Sequence, residues 1–296
     1  MRIRFLVNPA AGAGRALRSV DRWKAAAAFI FAPIEFSQGT DDLAARARRA
    51  VKEGVERIVA VGGDGTFHHV LRGLAGSDCE LALLPMGTGN DLAAVAGVPR
   101  HWRRALQMAI EAPARPFDLG EVATALGKRI PFGVYCGSGL DSEVSRWARE
   151  RRGREGGRFV YLLGALAVLR SFRAPHLTVE HDAGRFEGPA MLAVAANGDR
   201  FGGGMRVAPQ ADPRDGKLDL VLAREVSRGA LLGLLLKVYF GWHVGHPAIE
   251  LVRTRRLRIA SDRPLPLALD GEDGGELGPR GVEISVRPGA LRLVGS

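Results

Sequence analysis

The run RIVAV-GGDGT-FHHVLRGL, residues 57–74, decides how this chain folds. RIVAV is a short apolar run of the kind that forms a buried strand, GGDGT is a glycine-rich turn, and 67–74 is a segment that can enter a helix. The same order recurs on both sides. Residues 2–7 read as a strand, followed by NPAAGAG (8–14) and a helical pattern with Leu17, Val20 and Trp23 on one side. Residues 28–36 read as a strand, and after a loop to Thr40 a helix carries Leu43, Ala47 and Val51 at i, i+4 and i+8. Thr40, Asp41 and Asp42 have the character of a helix start, where acids meet the positive end of the dipole. Residues 80–84 form a fourth strand-like run, leading into PMGTGND (85–91) and the segment 92–95. Strands alternating with helices imply a parallel sheet with right-handed crossovers, whose ligand crevice lies beyond the carboxyl ends of the strands. All the glycine loops fall at those ends.

After about residue 117 the pattern changes. The runs 134–136, 177–180, 190–196, 218–222, 257–259, 265–269 and 282–286 are short, strand-like and separated by Gly, Asp and Pro. That spacing predicts an antiparallel sandwich or barrel as a second domain, with helical interruptions over 140–172 and 227–239. The expected division is 1–120 for the α/β domain, with the tail 288–296 packing back on it, and 121–287 for the β-rich domain.

Composition narrows the class. With 296 residues, 46% hydrophobic and 25% charged, the chain is an ordinary globular protein and needs no staples. Its two cysteines, Cys79 and Cys136, make neither a disulfide framework nor a metal cluster, which points to a reducing, cytosolic setting. The apolar stretch 5–7 is stopped by Asn8 and Pro9, so no secretory signal is expected. The longest greasy run, 230–236, is far short of the ~20 residues a membrane helix needs. The formal charge is +10, and all but five of the 42 basic residues are arginines, whose planar fork suits phosphate.

Glycine-rich loops at strand ends let backbone amides approach phosphate oxygens, and the following helix adds its positive end. One such loop is weak evidence; three in one sheet point to a nucleotide. Asp64, set between glycines, is poorly placed for packing and well placed for Mg²⁺ or a water bound to it. Thr66 and Thr88 add hydroxyls. Neither a Walker-type loop nor a protein-kinase catalytic loop is present. A dinucleotide fingerprint is nearly formed by Gly12, Gly14 and Glu35, but its third glycine position is Leu17.

The set NPAAGAG (8–14), GGDGT (62–66), PMGTGND (85–91), FDLG (117–120) and LDGED (269–273) resembles the diacylglycerol kinase catalytic-domain family, which includes soluble bacterial lipid kinases and sphingosine kinases. The resemblance implies an α/β nucleotide-binding domain of the NAD kinase and phosphofructokinase type, plus a mainly antiparallel β-sandwich domain. It also implies ATP- and Mg²⁺-dependent phosphorylation of a lipid hydroxyl in a cleft between the two. By the same resemblance Asn8, Thr40, Gly62, Gly63, Asp64, Gly65, Thr66 and Thr88 would hold ATP. Asp64 would lie nearest the metal, with Asp91 and Asp118 extending an acidic network behind it. Asp91 reads equally as a helix cap and Asp118 as a turn residue. Glu272 matches the catalytic acid that takes the proton of the attacking hydroxyl. Its neighbours Asp270 and Asp273 read as turn residues. In APQADPRDGKLD (208–219), Asp212, Asp215 and the main chain of Lys217 match a second, structural Mg²⁺ site, although Asp215-Gly216 also reads as a hairpin turn. Where the family often places a lysine beside its first loop, this chain has Arg15.

The stretch 146–173 carries Arg146, Arg149, Arg151, Arg152, Arg154, Arg158, Arg170 and Arg173 against Glu150 and Glu155, interleaved with Trp147, Phe159 and Tyr161. Such a segment can lie on an anionic bilayer or be a solvated helix face. No nucleic-acid recognition motif accompanies it. His68, His69, His243 and His246 read as structural. The expected partner is a lipid at a membrane surface, for a cytoplasmic, peripherally associated enzyme, and a homodimer through an exposed sheet edge is a further expectation. The rival readings are an NAD kinase-like enzyme, an NAD-type oxidoreductase, and a nucleotide- or lipid-binding protein without catalysis.

Overall fold

The computed structural model describes all residues except 19, 22–23, 25–27, 29–30, 40–41, 125–126, 151–158 and 296, and only the backbone of 13, 15 and 159–162. The chain divides into two compact units, Met1–Phe117 with Gly289–Ser296, and Asp118–Pro288. The division falls a few residues before the expected one for a local reason. Asp118 already bonds within the second unit, its amide to the Pro213 carbonyl at 2.7 Å and its own carbonyl to the Asn197 side chain at 2.8 Å. No described helix is long and apolar enough to cross a membrane.

In the first unit β1 (Ile3–Val7), β2 (Ile34–Phe36), β3 (Arg57–Gly62) and β4 (Glu80–Pro85) form a parallel sheet in the order β2-β1-β3-β4. The last residues of β15 (Val282–Val294) add to β4 in parallel, Arg292 opposite Glu80. Of the strand expected over 28–36, the described residues form strand only at Ile34–Phe36. Phe31 sits in a turn at φ 53°, and Pro33 has no amide to give to a ladder. β3 is buried along its whole length, as a strand covered by helices on both faces must be.

The helices are α1 (Ala11–Arg18), α2 (Leu43–Lys52), α3 (Asp64–Leu74), α4 (Asp91–Val95) and α5 (Trp102–Glu111). α2 buries Leu43, Ala44, Ala47 and Ala50, and α3 buries Phe67, Val70, Leu71 and Leu74, each a stripe at helical spacing. Where α2 and α3 cross, a Cβ on Gly73 would lie 2.6 Å from the Ala44 carbonyl oxygen, so only glycine lets the helices approach. The N-cap of α2 is Asp42, which makes no capping bond to its own helix and instead accepts the Gln38 amide and the Arg46 side chain. Arg57 is buried but fully engaged, with Glu80 and with the carbonyls of Ala109, Ile110 and Ala112 at the end of α5. A buried guanidinium is tolerable on those terms, and a cation at a helix carboxyl end is favourable.

The second unit is a β sandwich. One sheet contains β5 (Ala114–Ala123), β6 (Arg129–Phe132), β8 (His176–His181), β12 (Arg256–Ser261) and the first half of β15. The other contains β7 (Tyr135–Gly139), β10 (Leu218–Arg224), β11 (Ile249–Thr254), β13 (Leu265–Leu269) and β14 (Glu272–Leu277). β9 (Gly184–Ala196) belongs to both: its first part pairs with β8 and its last part with β7 and β10. Strand alternation explains the layers. Leu218, Leu220 and Leu222 of β10 point into the core shared by the two sheets, with Ala193 and Ala195 of β9. Leu192 and Ala223 face the other way, into a second apolar cluster with α6 (Leu140–Glu150), α7 (Phe159–Leu169) and α8 (Arg228–Val238). Apart from Asp219, which pairs with Arg253, β10 is therefore apolar on both faces up to Ala223, because helices cover the face that would otherwise meet water. Ser227 caps α8, its hydroxyl accepting the Ala230 amide.

Candidate active site

The loops after β1, β3 and β4 are tied to one another. The Asn8 side-chain amide donates to the Thr66 hydroxyl at 3.1 Å, and Thr66 is buried. The amides of Met86 and Gly87 donate to the Gly62 carbonyl at 2.6 and 3.1 Å. The two later loops touch backbone to backbone: a Cβ on Gly87 would lie 2.5 Å from the Gly63 Cα. The glycines of GGDGT and PMGTGND are thus required by mutual approach as well as by turn geometry. Gly63 is the N-cap of α3 and has no side chain with which to cap it, and a helix start of this kind, at the end of a strand and among glycines, is where backbone amides can serve an anion. Thr88 is exposed at the loop surface, Gly65 is half-buried in the first turn of α3, and Thr40 lies outside the described residues.

Asp64 does more than the sequence suggested. Its two carboxylate oxygens accept the backbone amides of Asn90 and Asp91, each at 2.6 Å, so it latches the third loop. Asn90 holds the left-handed φ of 58° that this turn demands, and its side chain bonds back to Gly87. Asp64 and Asp91 both reach toward Gly89: a Cβ there would be 2.6 Å from one Asp64 oxygen and 4.0 Å from one Asp91 oxygen. Among the described residues no three His, Cys, Asp or Glu side chains gather as a metal site. Two carboxylates over a glycine fit Mg²⁺, which takes one or two protein carboxylates and completes its shell with water and phosphate.

Glu35, the acid a dinucleotide fingerprint would need for a ribose, is instead paired with Arg4, Arg46 and Arg49 at 3.0, 3.4 and 2.7 Å. That removes the basis of the oxidoreductase reading.

In the second unit, Glu272 follows a two-residue turn. Asp270 and Gly271 both have positive φ, 53° and 81°, which is the type I′ geometry that closes a tight hairpin between β13 and β14. Glu272 stands half-buried at the first position after that turn, opposite Leu269. Asp270 fixes the hairpin, accepting the amides of Gly133, Val134 and Tyr135 at 2.8, 2.7 and 3.1 Å. Arg149 of α6 adds a bond to the Gly271 carbonyl at 3.0 Å. Asp273 accepts the Gly275 amide in a local turn.

The strand beside this hairpin, β7, leads into a cleft that sequence reasoning did not locate. It has about 120 Å³ of free space, lined by Val144, Leu192, Val194, Leu231 and Leu234 among other apolar residues. Its polar groups are few: Asp141, the Tyr135 hydroxyl at 3.3 Å from that of Ser145, Tyr239 and His243. Both Asp141 oxygens are shielded from solvent without a well-formed hydrogen bond. Burial raises its pKa to about 7, opposed by the nearby amides of Ser142 and Asp141 itself at the start of α6. His243 bonds the Val207 carbonyl at 2.9 Å through Nε2 while Nδ1 has no partner, and burial lowers its pKa. Only the alternation of β9 and β10, apolar on both faces, signalled this cleft in the sequence.

Asp118 is buried and accepts the Gly216 amide at 2.7 Å, which joins it to the turn 212–217. In that turn Asp212 accepts the Arg214 amide, and Asp215 accepts the Lys217 amide and pairs with Arg253 at 2.6 Å. With a guanidinium on one Asp215 oxygen and the Lys217 amide on the other, this donor set as arranged does not fit a divalent cation.

Residues 2–122 match the family model described as the diacylglycerol kinase catalytic domain, and 134–295 match that of the YegS C-terminal NAD kinase beta sandwich-like domain. Together with the loop cradle, these define a kinase built from an α/β unit and an NAD kinase-like sandwich. The chain belongs to the diacylglycerol kinase family. It is similar to a diacylglycerol kinase of Mycobacterium tuberculosis (strain ATCC 25618 / H37Rv), 31% identical over 247 residues that cover 83% of this chain and 78% of the relative. A diacylglycerol kinase of Bacillus subtilis (strain 168) is 29% identical over 283 residues, 93% of this chain and 91% of the relative. The crystal structure of a diacylglycerol kinase from Bacillus anthracis str. Sterne has the same fold, with a TM-score of 0.75 at 21% identity over 100% of this chain and 97% of that one.

Proposed function

We propose that this protein transfers the γ-phosphoryl group of ATP to a hydroxyl of diacylglycerol or a closely related lipid. The observation that carries the reading is the apolar cleft lined by Tyr135 of β7, the strand that pairs with β13 of the Glu272 hairpin, with a single buried carboxylate among leucines and valines. A dry, apolar wall suits an acyl chain and offers little to the polar rings and ribose of NAD. The first unit supplies the nucleotide side: the amides at the start of α3 and of the glycine loops face the phosphates, with Asn8 and Thr66 fixing the loop spacing. Asp64 and Asp91 would hold Mg²⁺, which when bound offsets charge on the phosphate oxygens.

The second unit supplies the acceptor side. Glu272 takes the proton of the lipid hydroxyl as that oxygen bonds to the γ-phosphorus, while the bond to the β–γ bridging oxygen breaks and ADP leaves. Asp141, protonated in part near neutral pH, offers a hydrogen bond to a polar group at the head of the bound lipid without placing a full charge in the cleft. The acceptor is reached from the cytoplasmic face of a bilayer by peripheral contact.

The test is transfer of radiolabelled γ-phosphate from ATP with Mg²⁺ to a panel of diacylglycerol, a sphingoid base, phosphatidylglycerol and NAD. Label on a lipid hydroxyl is expected. Label on NAD alone, or ATP binding with no transfer to any lipid, contradicts the reading.

A further inference from the structure

We infer that the outer face of α8, continued by the turn that follows it, is the surface on which this protein lies against a bilayer carrying anionic lipid. The inference rests on the lipid-kinase reading for its purpose only. α8 has the sequence RGALLGLLLKV, apolar around its whole circumference. A helix of that kind is expected to be buried, yet only its inner side is. Leu231 and Leu234 are buried and line the cleft, and Leu231 belongs to the cluster with α6 and α7. On the outer side stand Gly229, Leu232, Gly233 and Leu236, at i, i+3, i+4 and i+7, a single stripe, and Phe240 and Trp242 follow in the turn. Cβ atoms built on Gly229 and Gly233 would meet nothing within 4 Å.

The stripe is strongly exposed where a soluble surface normally is not. Leu236 is 66% exposed, Phe240 61% and Trp242 70%, and the Phe240 and Trp242 rings stack at 4.7 Å. Leu232 of the helix and Val244 of the turn, 40% and 41% exposed, belong to the same surface. Contiguous apolar surface of this kind marks a binding face.

Charge and position select the occupant. From 226 to 249 the chain has no acidic residue, and Arg228 and Lys237 are exposed beside the apolar stripe. Exposed leucines, an aromatic pair with a tryptophan and flanking cations together match the headgroup and upper acyl region of an anionic bilayer. A second copy of the chain fits less well, because a two-fold pairing sets a patch against itself and would bring Arg228 and Lys237 toward their own counterparts. The inner side of the same helix walls the apolar cleft, so the surface that enters the bilayer is one helix thickness from where an acyl chain would lodge. Of the arginines in the stretch 146–173, Arg151, Arg152, Arg154 and Arg158 lie outside the described residues, while Arg146 pairs with Glu143 and Arg149 bonds the Gly271 carbonyl.

The experiment uses the full chain with vesicles of phosphatidylcholine alone or with one-third phosphatidylglycerol, without ATP or acceptor, so that its failure and that of the kinase reading are separable. Sedimentation with the anionic vesicles is expected, at least tenfold reduced in a Leu236→Ser, Trp242→Ser double variant. Lys237→Glu should weaken binding severalfold to anionic vesicles only. Tryptophan emission should shift to the blue on vesicle addition in the parent and far less in Trp242→Phe, one of four tryptophans. The thermal midpoint of each variant should match the parent, since none of these side chains is buried. Vesicle binding unchanged by the double variant overturns the proposal. So does a parent that ignores vesicles and becomes monomeric from dimeric on the double substitution, which would make the patch a contact between copies.

Discussion

The carboxylate of Asp64 accepts the backbone amide of Asn90 at 2.6 Å, so the acid of one glycine loop holds the next loop in place. With the Asp91 amide on its other oxygen, Asp64 is both an acid of the phosphate side and a structural latch. An Asp64→Asn variant puts an NH₂ where one of those amides points. Each charge-assisted bond contributes about 1.5–3 kcal/mol, so the variant should lose about 2 kcal/mol of unfolding free energy together with at least a hundredfold in turnover. Urea unfolding and steady-state turnover read the two losses; an unchanged unfolding midpoint contradicts the latch.

Gly63 and Gly87 make a related prediction. A Cβ at Gly87 would overlap the Gly63 backbone at 2.5 Å, with no flexible side chain to yield. Gly87→Ala should separate the loops, at roughly 1–3 kcal/mol, and raise KM for ATP more than it lowers kcat. Gly127→Ala is no control, since its φ of 77° is itself strained for alanine; Gly278→Ala, with open space around it, is.

The parallel sheet and the order of the glycine loops were legible in the sequence because each rests on a local signal: an apolar run, a glycine turn, a helical stripe. Asp64, Thr66 and Glu272 could be picked out because their motifs are contiguous. The strand ending at Phe36 is shorter than its apolar run because Ala28 is helical and Phe31 lies in a turn, and apolar residues look the same in either setting as in a strand. Asp141 and the cleft were not legible, since their lining comes from strands β7, β9 and β10 and helices α6 to α8, far apart in the chain. The clamp made by Asp270 on Gly133–Tyr135 spans more than 130 residues and no pattern announces it.

That clamp is testable on its own. Asp270→Ala removes three backbone hydrogen bonds and places alanine at φ 53°, so a loss of about 3 kcal/mol is expected. Asp270→Asn keeps one acceptor and tolerates the left-handed backbone, and should lose less. Equal losses in the two variants would contradict the argument.

The buried Asp141 carboxyl gives a pH signature. Its pKa rises from the ordinary 3.8 to about 7 in the folded protein, so between those values the folded state binds more protons than the unfolded one. This group's contribution to stability is therefore most favourable below about pH 4, declines as the pH rises toward 7 and is flat above it. Asp141→Asn, neutral throughout, should remove that decline and be more stable than the parent at pH 8 by up to a few kcal/mol. Thermal midpoints from pH 5 to 8 check this; parallel curves for parent and variant contradict it.

The most direct test of the account is the rate of phosphoryl transfer to diacylglycerol in mixed micelles by the Glu272→Gln variant, measured with ATP affinity on the same preparation. The account predicts a fall in turnover of two to four orders of magnitude, the usual contribution of a positioned general base, with ATP affinity within about twofold of the parent. A variant that transfers phosphate at the parent's rate would contradict the role assigned to Glu272.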